Sequence, residues 1–236
     1  MQPRQKLLLI SLAQTAGLPG TEKEVEALQM AMHSFGFEAL HLKERAATVN
    51  QVREEMKTHT WIHFACHGSQ DITEPLQSAF HLYDGPLNLS EIIKQRPDNA
   101  EFAFLSACQT STGVNKLSDE SVHLAAGMHV IGYRSVVGTL WSIMDKYAPM
   151  VAEDFYGYLL DGTVDGEERK SLDCEKTAYA LHYATQRLRH AFAERAESMI
   201  KDPLSPGETE VSRERRRLDA AEEELLAWVP HIHFGV

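Results

Sequence analysis

The sequence predicts an α/β fold in three layers, a mostly parallel central sheet with helices on both faces. Three observations carry this expectation. Short apolar runs alternate with amphipathic segments from Lys6 to Leu160. Two of these runs, Thr60–Cys66 and Glu101–Ala107, are almost continuously apolar, as strands buried on both faces of a parallel sheet must be. The 236 residues, 43% hydrophobic and 24% charged, suit one large core better than two independent domains.

The elements follow in order. Lys6–Ala13 is an apolar strand that leaves into a loop marked by Gly17, Pro19 and Gly20. Thr21 and Glu24 make a capping-box pattern, and Val25, Leu28, Met32 and Phe35 recur at helical spacing until Gly36 stops the run. Phe37–Leu42 reads as a second strand, and Ala46–Lys57 as a helix with Val49, Val52 and Met56 on one face. Thr60–Cys66 is the third strand and runs directly into His67-Gly68. The polar stretch Ser69–Ser78, the segments flanking Asp84-Gly85 and a short helix capped by Ser90 form an excursion from the sheet edge. Glu101–Ala107 is the fourth strand and delivers Cys108 into the polar loop Gln109–Ser118.

A helix over Asp119–Ile131, a strand over Ser135–Leu140 and a helix over Lys146–Leu160 complete the alternation. Beyond Asp161 the chain turns charged, and Leu181, Ala184, Leu188 and Phe192 leave a single apolar stripe along a long helix. A break at Pro203–Gly207 precedes Glu208–Glu224, read as a solvated helix face. The apolar tail Trp228–Phe234 is expected to lie back on the core.

Composition excludes several classes. No apolar run approaches the roughly 18 residues that cross a bilayer, and no cleavage pattern follows Leu7–Ala13, so we expect a soluble, cytoplasmic chain with no membrane partner. With 34 acidic against 23 basic side chains, the net charge of −11 repels polyphosphate, and no nucleic-acid partner is expected. Cys66, Cys108 and Cys174 lack the spacing of a disulfide framework, which points to reduced thiols. His63, Cys66 and His67, or His231 and His233, do not supply the two short-spaced ligand pairs of a structural zinc, and no glycine-rich phosphate loop is present. No metal and no cofactor are expected.

Ligands in an open parallel sheet gather beyond the carboxyl ends of the strands. Strand three ends in His67-Gly68 and strand four in Cys108, so neighbouring strands would present an imidazole and a thiol at one rim. A free thiol titrates near ~8.5, and a nearby base must take its proton for it to act as a nucleophile at neutral pH. The backbone N–H groups of Gly68 and Cys108 are the candidate donors to a developing oxyanion. Cys66 is a rival thiol, but it adjoins His67 and successive strand residues face opposite ways, so it reads as buried. Cys174 has no partner pattern and reads as structural.

Trp61-Ile62-His63-Phe64-Ala65-Cys66-His67-Gly68, then Leu105-Ser106-Ala107-Cys108-Gln109-Thr110, then Ser135-Val136-Val137-Gly138-Thr139-Leu140-Trp141 with Asp145, stand in an order that resembles the CHAT domain, a caspase-like peptidase domain often found behind tetratricopeptide repeats. Pro75, Ser78, the Leu82–Leu87 hairpin, Glu120, Phe155-Tyr156 and the helix from Ala180 to Arg189 are similar to that family as well. The resemblance runs from about residue 5 to the C-terminus. It implies a caspase-hemoglobinase-like fold in which His67 and Cys108 form a dyad that cleaves peptide bonds without a cofactor. It also implies a protein or peptide substrate, and repeats of the same parent chain as a partner. The start at a sheet strand, with Lys6 so near the amino terminus, agrees with one CHAT domain over 1–236 at the C-terminal end of a longer polypeptide.

The segment around Cys108 departs from the caspase Q-A-C-x-G signature at its first and last positions, which argues against aspartate specificity. Separases carry a similar tryptophan-to-aspartate segment beside the pocket for the residue preceding the scissile bond. By that resemblance Trp141 and Asp145 would line a pocket for arginine or lysine, a carboxylate pairing with the basic group. Asp71 and Asp119 compete for this role, and Asp145 can also cap the helix that follows it. Two other readings are a catalytically latent CHAT module that signals through protein contacts, and an ordinary doubly wound ligand-binding domain. Cleavage lost with Cys108 favours the peptidase, and ligand-dependent thermal stabilisation favours the ligand-binding domain.

Overall fold

The apolar runs become strands, and the amphipathic segments pack over them. The computed structural model describes residues 5–16, 19–71, 73–95, 97, 99–106, 108–109, 123–139, 146–161, 171–201, 209, 211–212, 214–215, 218–219, 225, 227 and 230–235. In chain order the elements are β1 (Lys6–Ser11), α1 (Ala13–Ala16), α2 (Pro19–Ser34), β2 (Glu38–Lys43), α3 (Val49–Met56), β3 (Trp61–Ala65), β4 (His67–Ser69), β5 (Ala79–Leu82), β6 (Gly85–Asn88), α4 (Leu89–Gln95), β7 (Phe102–Leu105), β8 (Cys108–Gln109), α5 (His123–Ile131), β9 (Ser135–Thr139), α6 (Ala148–Asp161), α7 (Thr177–Lys201) and β10 (His231–Gly235).

The main sheet has the order β10-β9-β7-β3-β1-β2. Its neighbours are parallel except for β10, which returns antiparallel against β9. Alternation along each strand splits the core into two apolar clusters, as period two requires. Leu7, Leu9, Trp61, Phe102, Phe104 and Val137 face α2, α6 and α7 through Val25, Leu28, Phe155, Leu159 and Leu188. Leu8, Ile10, Ile62, Phe64, Ala103 and Val136 face α3, α4 and α5 through Val52, Met56, Ile92, Leu124 and Met128. The expected three layers are therefore present. Cutting Phe155, which is fully buried and stacked on Phe102 at 5.4 Å, back to alanine would cost about 3–5 kcal/mol. Among the described residues no helix is long and apolar enough to cross a membrane.

Three expectations change. Helix α2 begins at Pro19, two residues before the predicted cap, because proline suits a first helical turn. Glu24 thus falls inside the helix, buried on its core side rather than at the N-terminus. The stretch after His67, expected as an excursion from the sheet edge, organises a second sheet of order β6-β5-β4-β8. The apolar tail is not merely laid back: its final residues form β10. The charged run Glu208–Glu224 falls largely outside the described residues.

Candidate active site

Two adjacent strands carry the predicted pair, and their register is continuous across a break. In the main sheet β3 pairs parallel with β7, Trp61 facing Phe102 and Phe64 facing Leu105. In the second sheet β4 pairs parallel with β8, His67 facing Cys108 and Gly68 facing Gln109. The offset is 41 residues in both ladders. The chain bends at Cys66, so the same two strands leave one sheet and resume pairing in the other.

The bend is held by packing. Cys66 is fully buried, as expected for the rival thiol, and shares the α3-side cluster with Phe64 and Phe80. The Phe64 and Phe80 rings stack at 4.0 Å and 4°, pinning the end of β3 to β5. Each such aromatic pair is worth about 0.5–1.5 kcal/mol beyond its burial. His67 is half-buried and Gly68 buried at the start of β4.

His67 has a second imidazole beside it. His81 on β5 is its antiparallel partner, giving the lateral order His81, His67, Cys108 across three strands. Partial desolvation, and then the neighbouring His67, hold the His81 imidazole below the usual histidine range. The sequence signal for His81 was its place in a strand after the Ser69–Ser78 segment, but the pairing depends on a hairpin register that composition does not reveal.

Asp71, a candidate for a basic pocket, is committed elsewhere. Its Oδ1 accepts from Thr73 N at 2.9 Å, Thr73 Oγ1 at 2.7 Å and Glu74 N at 2.9 Å. These donors, Glu74 N foremost, hold its carboxyl below the usual carboxylate range. Asp71 is a turn-building residue. Trp141, Asp145 and Asp119 lie outside the described residues, as does the loop from Thr110 onwards.

Cys174, His63 and His233 have structural surroundings. Cys174 is buried in the 3-10 turn just before α7, and burial pushes its thiol up. His63 is fully buried, its ring stacked on Phe104 at 4.8 Å. His233 Nε2 lies 2.8 Å from Ser135 Oγ and 3.0 Å from Thr177 Oγ1. Among the described residues no three His, Cys, Asp or Glu side chains are grouped to hold a metal ion.

Comparison with known proteins bears on this architecture. The family model described as the CHAT domain matches residues 2–234. The crystal structure of the Arg specific cysteine proteinase gingipain R superposes with a TM-score of 0.50 at 9% identity, over 77% of this chain and 42% of that one. This chain thus spans less than half of gingipain's length, and the likeness shows the caspase-like fold. A protein from Geobacter sulfurreducens is similar over 71% of this chain and 69% of its own at 17% identity, but its TM-score of 0.37 is too low to bear on the fold. No curated protein matches the chain.

Proposed function

We propose that this chain, which belongs to the CHAT domain family, is a cysteine endopeptidase whose nucleophile is Cys108 and whose base is His67. The observation that carries the reading is the β4–β8 register, which sets positions 67 and 108 side by side at the rim where two strands leave the central sheet. A half-buried imidazole beside a strand-borne cysteine is the minimum needed to generate a thiolate at neutral pH.

In the proposed reaction the Cys108 proton passes to His67, and the sulfur attacks the peptide carbonyl carbon. The backbone N–H groups of Gly68 and Cys108 hold the oxyanion, and His67 returns the proton to the departing amine. Water, deprotonated by His67, then hydrolyses the thioester and restores the thiol. Trp141 and Asp145 are assigned to the pocket for the residue before the scissile bond. Its carboxylate, together with a net charge of −11, favours arginine or lysine there. No cofactor enters the reaction.

The test is cleavage of fluorogenic peptides carrying Arg, Lys or Asp before the reporter. Wild type is expected to prefer Arg and Lys, and both Cys108→Ala and His67→Ala to abolish turnover. Undiminished cleavage by Cys108→Ala would overturn the assignment. Silence from every form, together with a Cys108 that alkylates no faster than Cys174, would favour the latent signalling module instead.

A further inference from the structure

A buried polar cluster lies along the two strands that lead to positions 67 and 108, and the proposed reaction does not use it. Glu24 on α2 and His63 on β3 are both fully excluded from solvent, with His63 Nε2 only 3.0 Å from Glu24 Oε1. Ser106, buried just after β7, donates from Oγ to the other carboxylate oxygen, Glu24 Oε2, at 3.1 Å. His63 Nδ1 lies 3.2 Å from the hydroxyl of Tyr156 on α6. Burial, and then the charge of Glu24, raise Tyr156 well above the usual phenol range, so its hydroxyl keeps its proton. Tyr156 O–H donates to Nδ1 of His63 and Ser106 donates to Glu24 Oε2, whereas His63 Nε2 and Glu24 Oε1 stand in close contact without forming a hydrogen bond.

A carboxylate at zero exposure is costly unless it is paired and hydrogen-bonded. A hydrocarbon side chain would fill the same space without that cost. What a hydrocarbon cannot do is accept a hydrogen bond from Ser106 at the end of one strand while setting a charge 3.0 Å from the His63 ring on the next. The place of the cluster makes this relevant. Phe64–Leu105 is the last register pair of the β3–β7 ladder and His67–Cys108 the first of the β4–β8 ladder, with Ser106 in the interval between them.

We propose that Glu24 is a positioning residue: its carboxylate accepts from Ser106 at the exit of β7 and lies against the His63 ring on β3, tying the two strands together before they pass between sheets, and so sets how Cys108 is presented to His67. The proposal rests on the dyad reading and adds the device that holds the dyad in register. Glu24 touches neither reacting group and acts only through the backbone of the strands it clamps.

The test uses the full chain with Ser106→Ala, Ser106→Thr and Glu24→Gln. Two readouts are taken: the rate of Cys108 alkylation by iodoacetamide at pH 7, and amide hydrogen exchange by segment. Ser106→Ala is expected to slow alkylation about tenfold or more, since misplacement by ~1 Å can cost about a hundredfold. It is expected to raise exchange at 67–69 and 108–109 while 7–10 and 102–104 stay protected. Ser106→Thr, which keeps the hydroxyl, should restore both, and Glu24→Gln should reproduce the Ser106→Ala pattern. With a cleavable peptide, Ser106→Ala should lower kcat and leave KM within about twofold. Unchanged alkylation and exchange in Ser106→Ala, or faster exchange spread evenly over the whole sheet, would overturn the latch. Failure of the dyad reading has a different signature: Cys108 is unreactive in wild type, while local exchange still responds to Ser106→Ala.

Discussion

His63 stands in the middle of a strand buried along its whole length, and its position is the clue to its role. A polar residue at the centre of a buried run must find a partner or cost several kcal/mol. Its hydrogen-bond partner is Tyr156, 93 residues after it, and Glu24, 39 residues before it, lies in close contact with the other ring nitrogen. Glu24 sits four residues before Leu28 and eight before Met32, on the apolar stripe of α2, and that placement marks it as a buried carboxylate rather than a helix cap. Tyr156→Phe removes the donor to His63 and leaves a buried acceptor unsatisfied. We expect it to lower unfolding free energy by about 1–3 kcal/mol, read as a lower urea midpoint at unchanged slope. A midpoint equal to wild type would show that the hydroxyl contributes nothing.

At the scale of elements, local pattern accounts for the strands it describes and misses those created by pairing. Thr60–Cys66 and Glu101–Ala107 were legible because continuous apolar runs bounded by turn residues have few other uses. β4 and β8 were not, since three and two residues of mixed polarity carry no period; they exist because β5 and the β3–β7 register place partners beside them. The same holds for β10, whose alternating His231, Ile232, His233 and Phe234 gain strand structure only by docking on β9. At its end Gly235 has φ of +108°, and an added Cβ would sit 2.0 Å from the Arg134 carbonyl oxygen, so only glycine fits.

His233 fastens β10 to Ser135 and Thr177, and this makes the strand acid-sensitive. Burial, and then the nearby His129, depress its imidazole below the usual value of 6.5. The unfolded chain therefore takes up this proton first as pH falls. Stability from the neutral imidazole is present above about pH 6.5 and is lost as pH drops through the lower folded-state value. We expect the thermal midpoint to fall on acidification through this window, and His233→Gln, which keeps a polar group there, to flatten part of the slope. An identical slope in His233→Gln would assign the acid sensitivity elsewhere, for instance to His41 or His81, whose imidazoles are also depressed by burial.

For the molecule as a whole, one spacing links sequence, fold and proposed chemistry. The 41 residues between His67 and Cys108 equal the register offset of β3 and β7, so the loop-and-helix excursion between them returns the chain to the same level of the sheet. The three-layer fold was legible because alternation, run length and helical stripes all agreed. The adjacency of the two positions was legible as a consequence of neighbouring strands, whereas the Glu24 latch was hidden because it joins residues from α2, β3 and the β7 exit that share no local pattern. The charge of −11 and the two-faced core describe a scaffold in which positions 67 and 108 meet in register where the two central strands leave the main sheet.

That meeting is tested most directly by the alkylation rate of each cysteine at pH 7, followed by peptide mass mapping, in wild type and in His67→Ala. Fast modification is expected at Cys108 alone in wild type, with Cys66 and Cys174 protected by burial, and a slowing at Cys108 of about tenfold or more once the imidazole is gone. Equal Cys108 rates in the two proteins would show that His67 does not activate the thiol.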